Sequence, residues 1–253
     1  MKKNYHASTI QRAIDVLNLF KEEHKLSFTD IQEELKFNKS TLFRVLYTLE
    51  YNNYISRDEH GRYELGINMF ILGNQISKSH KLIKVADQYL KQFSDQINMT
   101  VHLGILDGYD VIIIEKYYPP GNIKMFSRIG SPVPPHCTGQ GKTLLAYSPP
   151  KLVERVINHH GMKRYTPQTI TTLEQLYTEL AIIRERGYTI DNSEHEKHIK
   201  CVAVPVLNDR GLIEAALSIT GLVMDFSSDA VIEKYARALQ EVRDKLAKEI
   251  GYI

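Results

Sequence analysis

The sequence has little of what characterises secreted or membrane proteins. Its 253 residues include two cysteines, Cys137 and Cys201, too few and too far apart for the disulfide framework of a small secreted domain. The N-terminus has no sustained apolar segment, and no stretch approaches the roughly 20 apolar residues that cross a bilayer. These absences predict a soluble cytoplasmic protein with no membrane partner.

A large net charge is also absent. The chain has 32 Lys and Arg against 30 Asp and Glu, a formal charge of +2, and residues 1–65 contain ten basic and ten acidic residues. A general electrostatic attraction for nucleic acid is therefore not expected, and any DNA-binding surface must be a local cluster of cations.

The length fits a sizeable core plus a smaller domain, and no internal repeat or low-complexity segment is present. Helical periods fill the first part of the chain, whereas hairpin patterns mixed with helices fill the rest. We predict a winged helix-turn-helix domain over 1–66, a linker helix over 67–80 and an α+β domain with an antiparallel sheet over 81–253.

Residues 27–65 have the pattern of a helix-turn-helix followed by a β-ribbon. In the second of its helices, about Lys39 to Tyr51, an apolar stripe recurs at three- and four-residue steps and predicts a buried face. A helix held after a short turn can present its other face to a major groove. The predicted DNA contacts on that face are Lys39, Ser40, Thr41, Phe43, Arg44 and Tyr47.

Helix-start signals and a turn signal support this interpretation. Ser8 is predicted to cap a first helix that buries Ile10 and Ile14, and Ser27 to cap the next helix in a capping box with Asp30. The turn Asp58–Gly61 separates two short extended segments. These segments form the predicted wing, and their Arg57 and Arg62 are the remaining predicted DNA contacts.

The second domain begins with a helix and continues with a hairpin. Val101–Leu106 and Val111–Ile114 flank the turn Asp107-Gly108. Further strands are predicted at Ile123–Ile129, Tyr188–Asp191, Cys201–Leu207 and Leu212–Thr220, and helices at Gly141–Tyr147, Pro150–Asn158, Leu173–Arg186 and Asp229–Ile250.

Three places in this domain are candidates for chemistry, and the first is the loop 134–143. Gly141-Lys142-Thr143 resembles the tail of a phosphate-binding P-loop, but His136 occupies the position where that motif requires glycine. What remains is a glycine-rich helix start whose free N–H groups suit a carboxylate. The alternative is that Gly139 and Gly141 only permit a tight turn.

The second place is the segment 187–201. His195, His198 and Cys201 have metal-ligand spacing, but a structural zinc site needs a fourth ligand, and solvated polar loop residues are the alternative that we favour. We therefore predict no metal site. Cys201 is either a nucleophile, which would need a base and oxyanion donors, or a small buried thiol.

The third place is the strand end Ser218–Gly221. Alternation along a strand puts the hydroxyls of Ser218 and Thr220 on one face. Together with Asp191 and Cys201 they would line a pocket for a small organic molecule. The alternative is that both hydroxyls bond to neighbouring backbone.

The sequence resembles the IclR family of bacterial transcription regulators over nearly its whole length. The resemblance rests on three segments: Lys39–Leu46, Pro135–Ala146, and a signature that comprises Gly187, Asp191, Glu194, Cys201, Val202, Ala203, Val206 and Asn208. Leu207 departs from the pattern, which usually has an aromatic residue or His there, and Gln140 stands where relatives often have a small residue.

The resemblance implies a regulator, not an enzyme, without a cofactor. The implied partners are a near-palindromic double-stranded operator, a small organic acid as effector, and further copies of the chain in a homodimer or homotetramer; repression relieved by ligand is the expected sign. The implied effector contacts are Gly139, Gln140, Asp191, Ile199, Cys201, Ser218 and Thr220, with Met125 and Val133 as apolar walls.

Two other functions remain open from the residues. The first is a thiol-dependent enzyme acting on a small acid, with Cys201 or Cys137 as nucleophile and an accessory winged domain. The second is a protein-interaction module, which salt dependence would distinguish from DNA binding because phosphate contacts release counterions.

Overall fold

The computed structural model describes residues 7–21, 23–79, 81–119 and 127–252. The chain divides into two compact units, Met1–Ser79 and His80–Ile253. Within the described residues, no helix is long and apolar enough to cross a membrane.

The first unit contains a three-helix core, a two-stranded ribbon and a further helix. The elements are α1 (Ser8–Leu19), α2 (Phe28–Leu35), α3 (Lys39–Tyr51), β1 (Ile55–Arg57), β2 (Tyr63–Leu65) and α4 (Ile67–Ser79). Ser27 and Asp30 form the predicted capping box at α2, and the Asn38 side chain accepts a 2.8 Å hydrogen bond from the backbone N–H of Thr41 at α3. Local sequence signals therefore fix the starts of both helices.

The apolar stripe of α3 forms the centre of this core, as predicted. Leu42, Val45, Leu46 and Leu49 are buried and belong to one cluster with Ile31 of α2. The ribbon closes the core because Ile55 and Tyr63 are buried beside them, and Gly61 has the positive φ that the wing turn requires.

The prediction for α1 was wrong in two details. Ala7, not Ser8, is the N-cap, and no side chain caps this helix. Ile10 and Ile14 are exposed, whereas Val16 and Phe20 are buried. Residues two positions apart lie about 200° apart around a helix, so burying Val16 turns Ile14 to the outside.

The second unit is a single antiparallel sheet with helices on both faces. Its elements are α5 (Lys81–Ile97), β3 (Thr100–Asp107), β4 (Asp110–Tyr117), β5 (Pro132–Val133), α6 (Gly139–Ala146), α7 (Pro150–His160), α8 (Leu173–Arg186), β6 (Thr189–Asn192), β7 (Ile199–Leu207), β8 (Ile213–Leu222), a 3-10 turn Val223–Phe226 and α9 (Asp229–Ile250). The strand order is β5-β4-β3-β8-β7-β6, and every pair is antiparallel. The α+β prediction is confirmed.

The two faces of the sheet have different partners. Val101 and Leu103 of β3, with Leu217 and Ile219 of β8, pack in one apolar cluster with residues of α5 and α9. Because side chains alternate along a strand, the residues between them face the other side, where α6 packs against the sheet.

One predicted strand differs in the structure. Residues 123–126, including Met125, lie outside the described residues, and 127–129 are not part of a strand. The edge strand is instead Pro132–Val133, which pairs with Val111 and Ile112 after a turn at Gly130. Proline is tolerated there because an edge strand needs no hydrogen-bond donor on its outer side.

Candidate functional site

The exposed face of α3 carries two cations, Lys39 and Arg44. Arg44 and Lys39 are exposed, and neither forms an ion pair within the part of the chain that the structure describes. Ser40 is also exposed, and its hydroxyl donates a hydrogen bond to the Asn38 side chain at 3.1 Å. Thr41 is half-buried at the edge of the same face, and its backbone N–H donates to the capping side chain of Asn38.

Three aromatic side chains form a ladder along this face. Phe43, Tyr47 and Tyr51 are four residues apart, and their ring centroids lie 6.4 and 6.2 Å from one another with nearly parallel planes. They are 56%, 58% and 75% exposed, so they belong to the surface and not to the core. The four-residue spacing was visible in the sequence, but Tyr51 was not among the predicted contacts.

The arginines of the wing, in contrast, are paired within the unit. Arg57 contacts Glu50 at 3.1 Å and lies 4.7 Å from the centre of the Tyr63 ring. Arg62 contacts Asp58 at 3.2 Å. The Asp58 carboxylate also accepts the backbone N–H of Arg62. This hydrogen bond lowers the pKa of Asp58 well below its ordinary value, and the Lys25 ammonium and the backbone N–H of His60 lower it further. Both arginines thus stabilise the wing geometry.

In the second unit, four predicted residues come together on three neighbouring strands. Asp191 of β6 pairs with Cys201 of β7, which pairs with Thr220 of β8, and Ser218 lies two residues before Thr220. We call these four side chains the polar patch. Asp191, Ser218 and Thr220 are buried and Cys201 is half-buried.

Helix α6 begins directly over the polar patch. A Cβ atom on Gly139 would lie 3.1 Å from the Cβ of Cys201 and 3.5 Å from that of Ala203, so glycine permits this close approach. Thr138 caps the helix by accepting the N–H of Gly141 at 3.1 Å. The amino end of a helix, where anions are favoured, is therefore adjacent to the patch.

A chain of side-chain hydrogen bonds runs from the patch across the sheet. Cys201 Sγ lies 3.2 Å from Thr220 Oγ1, which lies 3.3 Å from His102 Nδ1. His102 Nε2 in turn lies 2.8 Å from the hydroxyl of Ser127. Burial lowers the pKa of His102 to about 3, so its imidazole is neutral. The Thr220 hydroxyl thus bonds to side chains, contrary to the alternative that it bonds only to backbone.

Gln140 covers the adjacent part of the sheet. Its side-chain amide donates to the backbone oxygen of Ala216 at 3.2 Å. A Cβ on Gly104 would lie 2.7 Å from Gln140 Oε1, so this side chain lies flat on the glycine of β3. The Gln140 side chain therefore occupies space that a small residue at the same position would leave open.

A buried charge network lies behind the patch. The Lys142 ammonium is fully buried, and it donates to Glu194, to Glu179 at 3.2 Å and to the backbone oxygen of Ile190 at 2.8 Å. Glu194 donates its backbone N–H to Asp191 at 2.8 Å. In the segment predicted to contain solvated polar loop residues, His198 is exposed and His195 is half-buried, whereas Glu194 is buried. Asp191, which was predicted to line a pocket, is buried as well.

Burial raises the pKa of Asp191 to about 7, and the neighbouring Glu194 carboxylate adds to the shift. The Glu194 N–H and the Lys142 ammonium act in the opposite direction. Asp191 consequently changes its charge near neutral pH, inside the polar patch.

Family comparisons match both units. The family model described as IclR helix-turn-helix domain matches residues 9–59, and the one described as Bacterial transcriptional regulator IclR C-terminal matches residues 74–248. The chain belongs to the IclR family. It is accordingly a DNA-binding transcriptional regulator.

Curated IclR-family relatives align over almost their full lengths. XynR of Escherichia coli K12 is 34% identical over 246 residues, which cover 96% of this chain and 97% of XynR. KdgR of the same organism is 32% identical over 246 residues, 97% of this chain and 93% of KdgR. A transcriptional repressor named AllR from Klebsiella pneumoniae is 30% identical over 247 residues, 97% and 90% of the two chains.

Solved structures of the IclR family share the fold. The IclR protein of Thermotoga maritima is 30% identical with a TM-score of 0.78, and covers 98% of this chain and all of its own. A regulator from Alicyclobacillus acidocaldarius is 29% identical with a TM-score of 0.86 and the same coverage. A homologue from Microbacterium hydrocarbonoxydans in complex with 4-hydroxybenzoate has a TM-score of 0.86 at 22% identity, over 96% and 99% of the chains.

Three further effector positions are implied by the IclR resemblance: Val133, Ile199 and Met125. Val133 on β5 and Ile199 at the start of β7 are half-buried, and Met125 lies outside the described residues. Ser193 fixes the approach to β7, because its hydroxyl donates to the backbone oxygen of Ile199 at 3.0 Å.

The geometry of the thiols does not favour the enzyme alternative. Burial raises the pKa of both Cys137 and Cys201, and the nearby Asp191 carboxylate raises them further, which disfavours the reactive thiolate. The curated relatives are named as transcriptional regulators, and IclR-family proteins are not enzymes. The chain is thus a regulator, and burial disfavours a nucleophilic role for either cysteine.

His195 and His198 do not form a ligand set with Cys201. His195 packs edge-on against Tyr165 with ring centroids 4.8 Å apart, and His198 is exposed with a positive φ. Over the described ranges, the residues that do satisfy metal-ligand spacing are elsewhere in the unit.

Proposed function

We propose that this IclR-family regulator is a repressor whose α3 recognises an operator and whose second unit binds a small organic acid at the polar patch. The observation that carries the proposal is the division of α3 into two faces. Four buried aliphatic residues form one face. The other presents Arg44 and Lys39, which form no ion pair with any residue that the structure describes, beside exposed aromatic rings.

Operator contacts follow from the chemistry of this exposed face. Lys39, Ser40 and Thr41 occupy the first turn, where side chains and N–H groups bind phosphate oxygens. Arg44, one turn further, has the planar donor pair that recognises guanine. Phe43 and Tyr47 present apolar rings, which suit thymine methyl groups. Arg57 and Arg62 of the wing contact DNA only after exchanging a carboxylate partner for phosphate, so we assign them a smaller share of the affinity.

The effector proposal rests on the convergence of polar groups under the start of α6. Asp191, Cys201, Ser218 and Thr220 supply hydrogen-bonding groups, and the α6 N-terminus favours an anion. An IclR homologue was solved in complex with 4-hydroxybenzoate, and this supports an organic acid as the ligand class. We propose a ligand of the same class, a small carboxylic acid, with Gln140, Val133, Ile199 and Met125 at the borders of its site.

Assembly follows from surfaces that are left apolar in the first unit. Ile10 and Ile14 on α1, and Ile67, Phe70 and Leu72 on α4, are exposed. We propose that a second copy covers them, giving a homodimer whose two α3 helices enter successive major grooves, so that the operator is near-palindromic with half-sites about one turn apart. Two dimers would make a homotetramer, and AllR supplies the precedent for repression.

The switch needs only a modest coupling. A difference of about 1–3 kcal/mol between liganded and free forms changes operator affinity about 5- to 150-fold. We propose the domain limits 1–66, 67–80 and 81–253 for this arrangement, and a cytoplasmic location, where operator and metabolite are both accessible.

The operator arm is tested by selecting binding sites from randomised duplex DNA and titrating them in gel-shift assays. Arg44→Ala should lose about 1–3 kcal/mol of discrimination at one base pair if the guanidinium binds guanine. Arg237→Ala, which removes the same charge from the surface of α9, is the matched control. Equal affinity and sequence preference for Arg44→Ala and the wild type would contradict the assignment of α3.

A companion titration separates DNA binding from a protein-interaction module. Affinity for the selected site should fall steeply as salt rises, since each phosphate contact releases a counterion. Absence of any selectable DNA sequence would refute the proposal altogether.

The effector arm is tested by thermal-shift screening against small organic acids, because a ligand that binds only the folded state raises the melting temperature. Cys201→Leu and Thr220→Val should abolish the shift and the ligand's effect on operator binding. Thr178→Val, on the exposed surface of α8, should abolish neither. A hit that survives both polar-patch variants would place the ligand elsewhere.

A further inference from the structure

A second group of ligand-bearing side chains lies on another part of the second unit. Asp110 is the first residue of β4, and His159 and His160 are the last two residues of α7. The potential ligand atoms of these three side chains all lie within 4.8 Å of one another. Among the residues that the structure describes, this is the group of His, Cys, Asp or Glu that meets such spacing.

The donor atoms already have the separation that a shared ion requires. His160 Nε2 lies 3.1 Å from Asp110 Oδ1 and 2.9 Å from the backbone oxygen of Tyr109. Two ligands bound to one tetrahedral ion at about 2.0–2.1 Å are themselves roughly 3.3 Å apart. His159, which is exposed, is the ligand that has to move closer.

Packing and electrostatics both favour a cation at this place. The centroid of the His159 ring lies 5.5 Å from that of Tyr109 and 4.9 Å from that of His160. The two imidazole rings are perpendicular and in edge-on contact. The carbonyl end of α7 carries partial negative charge, which attracts cations. Asp110 follows the tight turn Gly108-Tyr109, in which Gly108 has a positive φ, and its carboxylate contacts His160 at this helix end.

We propose that Asp110, His159 and His160 bind a divalent transition-metal ion of the Zn²⁺, Ni²⁺ or Cu²⁺ class. Two imidazoles with one carboxylate suit these ions, whereas Mg²⁺ and Ca²⁺ prefer all-oxygen sets. In the metal-bound form, His160 carries its ring proton on Nδ1, and the Nε2 lone pair binds the metal in place of the hydrogen bond to the backbone oxygen of Tyr109. Water completes the coordination because the site is open to solvent.

The consequence is a metal-dependent link between α7 and the β3–β4 hairpin. These elements are joined in sequence only through the long segment that contains β5 and α6. An ion that binds both should raise the melting temperature of the second unit, since it binds the folded form preferentially. This inference does not depend on the identity of the operator or of the organic acid.

The test uses the full chain with ZnCl₂ in calorimetric titration and thermal melts, and with CoCl₂ in visible absorption. We expect one ion per chain, a rise in melting temperature that EDTA reverses, and a Co²⁺ spectrum without a thiolate charge-transfer band. His159→Ala and His160→Gln should each weaken binding at least about tenfold, a loss comparable to that caused by removing even an outer partner of a metal site.

Two features keep the test decisive. His160→Gln retains a side-chain donor for Asp110 and Tyr109, so a folding defect is separable from loss of a ligand. His198→Ala removes an exposed imidazole elsewhere in the unit and should bind Zn²⁺ like the wild type. Binding that persists in both His159→Ala and His160→Gln, a thiolate band with Co²⁺, or no ion bound by the wild type would overturn the proposal.

Discussion

Lys142 offers a sharp test of the architecture behind the polar patch. Its ammonium is fully buried and is held by Glu194, Glu179 and the backbone oxygen of Ile190. Lys142→Met keeps an unbranched side chain of similar length but removes the charge. Glu194 then becomes a buried carboxylate without its cation, and its Oε2 atom already has no hydrogen-bond partner among the described residues.

The expected magnitude follows from this geometry. Removing one partner of a buried ion pair costs about 3–5 kcal/mol, because the remaining charge stays buried and uncompensated. For a unit of this size, each kcal/mol lowers the melting temperature by roughly 2–4 °C, so the variant should melt roughly 6–20 °C below the wild type. Burial raises the pKa of Glu194, so this carboxyl takes up a proton more readily as the pH falls. The loss of stability in Lys142→Met should therefore be smaller at acidic pH.

A double-mutant cycle measures the effect. Lys142→Met/Glu194→Gln removes both charges and should recover most of the stability lost in Lys142→Met, since replacing a buried pair with uncharged groups is often nearly neutral. Lys151→Met, at an exposed position on α7, is the control and should be silent. Additive losses in the double variant, or a Lys142→Met protein that melts like the wild type, would refute the reasoning.

Four further predictions concern the polar patch, α3 and two glycines. The affinity for an anionic effector should rise as the pH falls from 8 to 6, because the Asp191 carboxylate becomes protonated near pH 7 and no longer repels the anion. Titration calorimetry should show this pH dependence for the wild type and not for Asp191→Asn. The raised pKa of Asp191 also makes the stability of the fold depend on pH. The protonated carboxyl makes its full contribution below about pH 4, and this contribution is lost as the pH rises through about 7. The urea midpoints of wild type and Asp191→Asn should therefore converge in acid and separate in base. If Phe43 contacts a thymine methyl, replacing that thymine by deoxyuridine should weaken operator binding by the wild type roughly fourfold, because one methyl group contributes about 0.8 kcal/mol. The same replacement should not change operator binding by Phe43→Ala. Gly139→Ala should lower stability by about 1–3 kcal/mol through contact with Cys201, whereas Gly73→Ala, in open space on α4, should gain roughly 0.5–1 kcal/mol in thermal melts.

Sequence reasoning succeeded where the information is local. The stripe from Leu42 to Leu49, the capping box at Ser27 and the wing turn each depend on residues within a few positions, and each is confirmed. The bounds of the last helix, Asp229–Ile250, were likewise predicted, because a strong N-cap and a following glycine mark its ends.

It failed where the answer depends on distant partners. Lys142 is separated by 37 residues from Glu179 and by 52 from Glu194, so nothing near it in the chain indicates burial. The burial of Glu194 was not predicted for the same reason, since charged residues are seldom buried without partners and its cation, Lys142, is distant in the chain. For α1, the sequence offers more than one apolar stripe, and only the packing against α3 selects Val16 over Ile14.

The ion pairs of the wing have a consequence for how this regulator searches a chromosome. Arg57 and Arg62 are already neutralised by Glu50 and Asp58, so they gain little from an arbitrary stretch of duplex. Each phosphate contact that is not made removes about 0.9 from the slope of log affinity against log salt, and two such contacts remove nearly two units. We therefore expect a shorter residence on random DNA than two unpaired arginines would give, with more of the bound time spent at sites that α3 itself recognises.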